Sequence, residues 1–157
     1  MKRIIIIYFS LTGNTRRLSY LIRDFLLKKE CEVSCFNLPV DKKKSFLRNV
    51  FDAIFCKKVE VETPDFSGYD TLFLGCPVWA FDIVPAMRSF IRKVNFGHKD
   101  VFLFITYGSG AGKDRAMKNF INLVREKGGN VREYFEVKGK IVEKEFEKVK
   151  KRLEEFI

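Results

Sequence analysis

Residues 4–15 read Ile4-Ile5-Ile6-Ile7-Tyr8-Phe9-Ser10-Leu11-Thr12-Gly13-Asn14-Thr15, an apolar run that changes abruptly into hydroxyls, a glycine and an amide. A continuous apolar run of this kind is a strand buried on both faces. Leu18, Leu21, Ile22, Phe25 and Leu26 then recur at helical spacing, so Ser10 to Thr15 is a strand-to-helix loop. Gly13 lets the backbone approach a ligand closely, and the free N–H groups of the next helix aim at the same point. The loop is a candidate cradle for a phosphate dianion, held mainly by neutral donors.

The alternation continues along the chain. Glu32 to Leu38 reads as a second strand with polar alternation, as expected near a sheet edge, and Pro39 ends it. Ser45 is a candidate cap for a helix carrying Phe46, Leu47, Val50, Phe51, Ile54 and Phe55, and Thr71 to Gly75 is a third strand. Pro85 suits a first helical turn, with Met87, Phe90, Ile91 and Val94 on one face. Val101 to Thr106 is a fourth strand, followed by a helix with Met117, Phe120, Ile121 and Val124 that Gly128-Gly129 stops. Val131 to Val137 is a fifth strand, and Val142, Phe146, Val149, Leu153 and Phe156 mark the last helix.

This βα alternation predicts an α/β fold of three layers, a doubly wound five-stranded parallel sheet between helices. The first, third and fourth strands are the most apolar and belong at the centre, which gives the order 2-1-3-4-5. In that order the ligand crevice lies beyond the carboxyl ends of strands one and three, where the winding reverses. Two further strand-end loops flank it: Gly75-Cys76-Pro77-Val78-Trp79-Ala80-Phe81-Asp82 and Thr106-Tyr107-Gly108-Ser109-Gly110-Ala111-Gly112. Trp79 and Tyr107 offer flat surfaces to a ring, the glycines let backbone amides reach ring heteroatoms, and Pro77 stiffens the first loop. A phosphate at one end and an aromatic ring at the other describe a nucleotide-like ligand.

Composition narrows the function classes. The length of 157 residues suits a single domain over 1–157. No apolar run reaches the roughly 20 residues needed to span a bilayer, and Met1-Lys2-Arg3 leads into a strand without a cleavage site. The expectation is a cytoplasmic protein without membrane insertion. Cys31, Cys35, Cys56 and Cys76 form no Cys-x-x-Cys, and His98 alone completes no zinc set, so the cysteines read as reduced and structural. Lys and Arg number 30 against 20 Asp and Glu, a net charge of +10 that favours anionic partners. The basic residues are nevertheless scattered among acids, and aromatic residues fall at core spacing, so nucleic acid is not the expected partner. The absence of Gln among many Lys and Glu suggests a thermophilic source. Gly108-x-Gly110-x-Gly112-Lys113 lacks the first glycine of a Walker loop, and Asp114 stands where magnesium needs Ser or Thr, which excludes ATP hydrolysis.

These residues resemble the flavodoxin-like FMN proteins over nearly the whole chain. The resemblance rests on the Ser/Thr-x-Thr-Gly-x-Thr loop at Ser10 to Thr15, on Tyr69-Asp70-x-x-x-Leu74-Gly75-x-Pro77-x-Trp79, and on Tyr107-Gly108-Ser109-Gly110. It implies FMN as cofactor. Its phosphate would lie on Ser10, Thr12, Asn14, Thr15 and the N–H groups around Leu11 and Gly13. Its ring would be enclosed by Pro77, Val78, Trp79, Ala80 and Phe81 on one side and by Tyr107, Gly108, Ser109 and Gly110 on the other. The implied function is electron transfer with a redox partner protein or a small electron donor or acceptor. Two alternatives stay open: an FMN-dependent NAD(P)H or quinone reductase, and a flavin-free basic binding module. The basic charge departs from the acidic carriers of the family. One exposed Lys at roughly 15 Å contributes only about 0.3 kcal/mol in water, but ten net charges of one sign make an anionic reduced flavin less costly.

Overall fold

The computed structural model describes residues 1–38 and 61–157; the helix expected over Ser45 to Lys58, with Pro39 and Cys56, lies outside the described residues. The elements are β1 (Arg3–Tyr8), α1 (Asn14–Lys28), β2 (Glu32–Asn37), β3 (Thr71–Trp79), β4 (Asp82–Ile83) and α2 (Pro85–Lys93). They continue with β5 (Asp100–Tyr107), α3 (Lys113–Glu126), β6 (Asn130–Lys138), a 3-10 turn (Gly139–Ile141) and α4 (Val142–Leu153). Five strands run parallel in the order β2-β1-β3-β5-β6, while the short β4 pairs antiparallel with the end of β3. With β4 set aside, this is the expected 2-1-3-4-5 order.

Because successive strand residues point to opposite faces, each central strand feeds two cores. Ile5, Ile7, Leu72, Leu74 and Leu103 pack with Met87 and Phe90 of α2 and Met117 and Phe120 of α3. Ile4, Ile6, Phe73, Phe102 and Phe104 pack with Leu18 and Ile22 of α1 and Val142 and Phe146 of α4. Full burial of each such side chain contributes about 1.5–3 kcal/mol, which explains why the central strands carry no polar alternation. In the edge strand β2, Glu32, Cys35 and Asn37 are exposed, as its sequence predicts. Pro85 opens α2, and Gly128 follows α3 with φ 78°.

The structure corrects the reading of Gly75 to Asp82 as a loop. The strand runs on to Trp79, pairing Cys76 with Ile105 and Pro77 with Thr106, and then turns back through Ala80 and Phe81 into β4. Proline is tolerated there for a geometric reason. Gly75 directs its carbonyl to Phe9 N on the β1 side, so the position two residues on directs its nitrogen to the same side. The β1 pairing ends at Tyr8↔Gly75, and the missing N–H of Pro77 interrupts no ladder. Gly75 is glycine because a Cβ would come within 2.0 Å of the Phe104 ring. Gly75→Ala is therefore expected to destabilise the protein by about 1–3 kcal/mol in chemical denaturation, the cost of overpacking a filled core. A change near zero would show that Phe104 moves aside freely.

Candidate functional site

At the carboxyl end of β1, Phe9 is still buried, and the chain then leaves the sheet through Ser10, Leu11 and Thr12 to Gly13. Gly13 is the residue before α1, with φ 94°, a left-handed conformation that favours glycine. No side chain caps this helix end, and no acidic residue sits in its first turn. Ser10 Oγ accepts from Arg16 N at 3.1 Å, and Gly13 O accepts from Arg17 N at 2.9 Å. Among the described residues, no hydrogen bond takes up the backbone N–H of Leu11, Thr12, Gly13, Asn14 or Thr15. A loop with this many free donors at a helix start offers positive potential to an anion.

Thr15 holds the loop in place. It is 1% exposed, and its Oγ1 lies 2.8 Å from Thr106 Oγ1 at the end of β5, so one hydroxyl donates to the other in the interior. This bond ties the first turn of α1 to the strand two places away. Across the crevice, the β3–β4 hairpin is fixed through Asp82. One carboxylate oxygen accepts from Arg88 and from Asn119 Nδ2 at 3.1 Å, and the other accepts from the Ile83 N–H at 2.8 Å. The hairpin is thereby held to α2 and α3. At its tip, Ala80 and Phe81 have φ of 48° and 63°, positive values that a two-residue type I′ turn requires at both positions. Gly112 packs under this tip, where a Cβ would come 2.5 Å from Phe81 Cα.

These elements enclose a cleft of about 210 Å³ lined by Thr12, Asn14, Pro77, Val78, Trp79, Thr106, Tyr107, Gly108, Gly139 and Lys140. The three expected loops therefore meet. Trp79 is half-buried, packing on the core with part of its surface while also lining the cleft. Tyr107 is half-buried with Lys113 Nζ 5.7 Å from its ring centre. Lys113 is itself neutralised by Glu136 at 2.6 Å and Asp114 at 2.9 Å, and the Glu136 bond foremost raises its pKa. Of the other expected residues, Ser10, Leu11, Gly13 and Thr15 shape the cradle behind the wall. Ala80 and Phe81 form the exposed hairpin tip, and Ser109 and Gly110 form the turn behind Tyr107. Gly139 and Lys140 escaped the sequence reading. They follow an edge strand, far along the sheet from the switch point, but α4 packs on α1 and carries the turn back over Asn14.

Cys76 lies beneath the cleft wall, fully buried in the core, and burial pushes its thiol up to about 12. That is a structural cysteine, not a nucleophile.

The topology places the chain in the doubly wound α/β class, with its cleft at the switch point. A family model described as Flavodoxin matches residues 3–153, and the chain belongs to that family. Its fold is similar to that of a flavoprotein from Lactobacillus acidophilus solved in complex with FMN, at 18% identity, covering 94% of this chain and 98% of that one, with a TM-score of 0.66. It is also similar to a flavodoxin from the domain Archaea, at 16% identity, 95% and 92% coverage and a TM-score of 0.65. Oxidised flavodoxin 1 from Bacillus cereus aligns at 17% identity, 99% coverage of both chains and a TM-score of 0.63. At these identities the likeness is one of fold. No curated protein sequence matches the chain.

The Cys76 environment generates a prediction with a definite sign. The folded protein keeps a thiol proton that the unfolded chain loses above its ordinary value of 9.0, so this contribution to stability is complete below pH 9 and is lost as pH rises towards 12. Denaturation from pH 8 upward should therefore show a shallower alkaline loss for Cys76→Ala than for the parent, about 1.4 kcal/mol less per pH unit at most. Alkylation followed by mass spectrometry should leave Cys76 unmodified in the native protein. Modification at native pH without denaturant would contradict its placement.

Proposed function

We propose that this chain binds FMN in the strand-end cleft and transfers electrons as a flavodoxin does. The observation that carries the reading is the meeting, in one cleft, of free loop donors with two aromatic side chains. The donor set fits a phosphate monoester: Thr12 and Asn14 present a hydroxyl and an amide, and the N–H groups of residues 11–15 are unpartnered among the described residues. Ser10 and Thr15 hold the loop open through their bonds to Arg16 N and Thr106. Trp79 and Tyr107 offer faces for ring packing, with Pro77 and Val78 as an apolar wall that keeps water from the ring. Gly108 leaves room for close backbone approach, Ser109 and Gly110 set the turn that carries it, and Ala80 and Phe81 complete the hairpin at the rim.

Bound FMN supplies reversible electron uptake and release, and the protein's part is to bind, orient and shield it. No acid/base pair is required for that. The net charge of +10 favours an acidic redox partner protein or an anionic small donor or acceptor, steered to the site by the field of the whole molecule. The related reductase activity would require a nicotinamide or quinone to lie directly on the ring. We place this chemistry in the cytoplasm.

Titration with FMN should quench flavin fluorescence and yield a yellow protein. Thr12→Ala removes a bond to a charged group, about 1.5–3 kcal/mol, and is expected to weaken FMN about ten- to hundredfold while riboflavin changes by less than about twofold. Addition of NADH or NADPH alone should leave the colour in place. A colourless protein that binds no added FMN would refute the proposal, and rapid bleaching by NADPH would favour the reductase.

A further inference from the structure

The turn between β6 and α4 adds Gly139 and Lys140 to the cleft wall beside Thr12 and Asn14. Gly139 is buried against the strand-to-helix loop, so closely that a Cβ there would come 2.5 Å from Asn14 Nδ2. Lys140, the next residue, is exposed, and among the described residues its ammonium has no ion-pair partner. The carboxylates on either side of it in sequence are engaged elsewhere, Glu136 with Lys113 at 2.6 Å. Glu143 pairs with Arg17 at 3.2 Å. Glu145 accepts from the Lys138 backbone N–H at 2.8 Å, a bond that pins the turn, and meets Lys148 at 3.9 Å.

Lys140 also opposes its local electrostatics. It stands one residue before Ile141, the N-cap of α4, at a helix end whose dipole favours the acidic residues Glu143 and Glu145 found in the first turn. A cation near the wrong end of a helix, lining a cleft and without an ion-pair partner among the described residues, breaks a local rule; such conflicts concentrate where something binds. The neutral donors of residues 11–15 hold an anion by dipoles alone, so a monoester bound there retains charge that a cation at the same wall can meet.

We infer that Lys140 is a specificity residue of the cleft, which adds a positive charge to the neutral phosphate cradle and widens its preference for a phosphorylated flavin over the unphosphorylated one. This rests on the FMN reading above. An ammonium on a flexible stem acts as a mobile point charge, so its contribution depends on ionic strength and survives exchange for another cation.

The test is fluorescence titration of FMN and of riboflavin into the full chain and into Lys140→Gln, Lys140→Arg and Arg16→Gln, at low and high salt. Arg16 carries the same charge near the loop, 3.8 Å from a Cβ placed at Gly13, but does not line the cleft. Lys140→Gln is expected to weaken FMN about five- to tenfold at low salt, below a full charge-assisted bond because the side chain is exposed. It should leave riboflavin unchanged and flatten the salt dependence, while Lys140→Arg retains most of the affinity and Arg16→Gln has the smaller effect. Unchanged FMN affinity in Lys140→Gln overturns the inference. So do equal losses for FMN and riboflavin, which would mean a disturbed turn, and equal effects of the Arg16 and Lys140 variants, which would mean net charge alone. A parent chain that binds FMN and riboflavin equally overturns it while flavin binding stands; one that binds neither overturns both readings.

Discussion

Parallel pairing of β1 between β2 and β3 is the constraint on which the rest depends. The connections that leave the carboxyl ends of β1 and β3 run in opposite directions, α1 covering one face on the way to β2 and α2 the other on the way to β5, so among the described residues neither helix crosses the space above those ends. That space receives every loop of the site. It exists because Ile4 to Tyr8 are buried on both faces, which fixes β1 in the interior of the sheet, paired to β2 on one side and β3 on the other.

Two polar anchors turn this opening into a defined cleft. The hydroxyl pair of Thr15 and Thr106 ties the strand-to-helix loop to β5, and the Asp82 carboxylate, held by Arg88, Asn119 and the Ile83 N–H, sets the opposite wall. The second anchor works against strain. Left-handed conformations at Ala80 and Phe81 cost about 1–3 kcal/mol each for residues with a side chain, and persist only where the surroundings over-determine them. The antiparallel pairs Val78↔Ile83 and Trp79↔Asp82 provide that over-determination, and the result is a Trp79 ring presented at the cleft.

The sheet order was legible because it follows from which strands lack polar alternation, a property written directly in residues such as Ile4 to Ile7 and Leu103 to Ile105. The strand-to-helix loop at the cleft was legible because Gly13 and its hydroxyl neighbours stand at a strand end. What escaped the sequence arises from pairing and packing across long separations. Nothing in Ala80-Phe81 signals a hairpin turn, since glycine or asparagine usually fills those positions. The pairing of Pro77 with Thr106 depends on where β1 stops. Lys140 enters the cleft only because α4 returns across α1.

The most direct test of the account is a crystal structure of this chain grown with FMN. It should show the phosphate seated on the N–H groups of residues 11–15 with Thr12 and Asn14 beside it, and the ring against Trp79 and Tyr107. Flavin bound with its phosphate away from the Ser10 to Thr15 loop, or at another surface, would contradict the account.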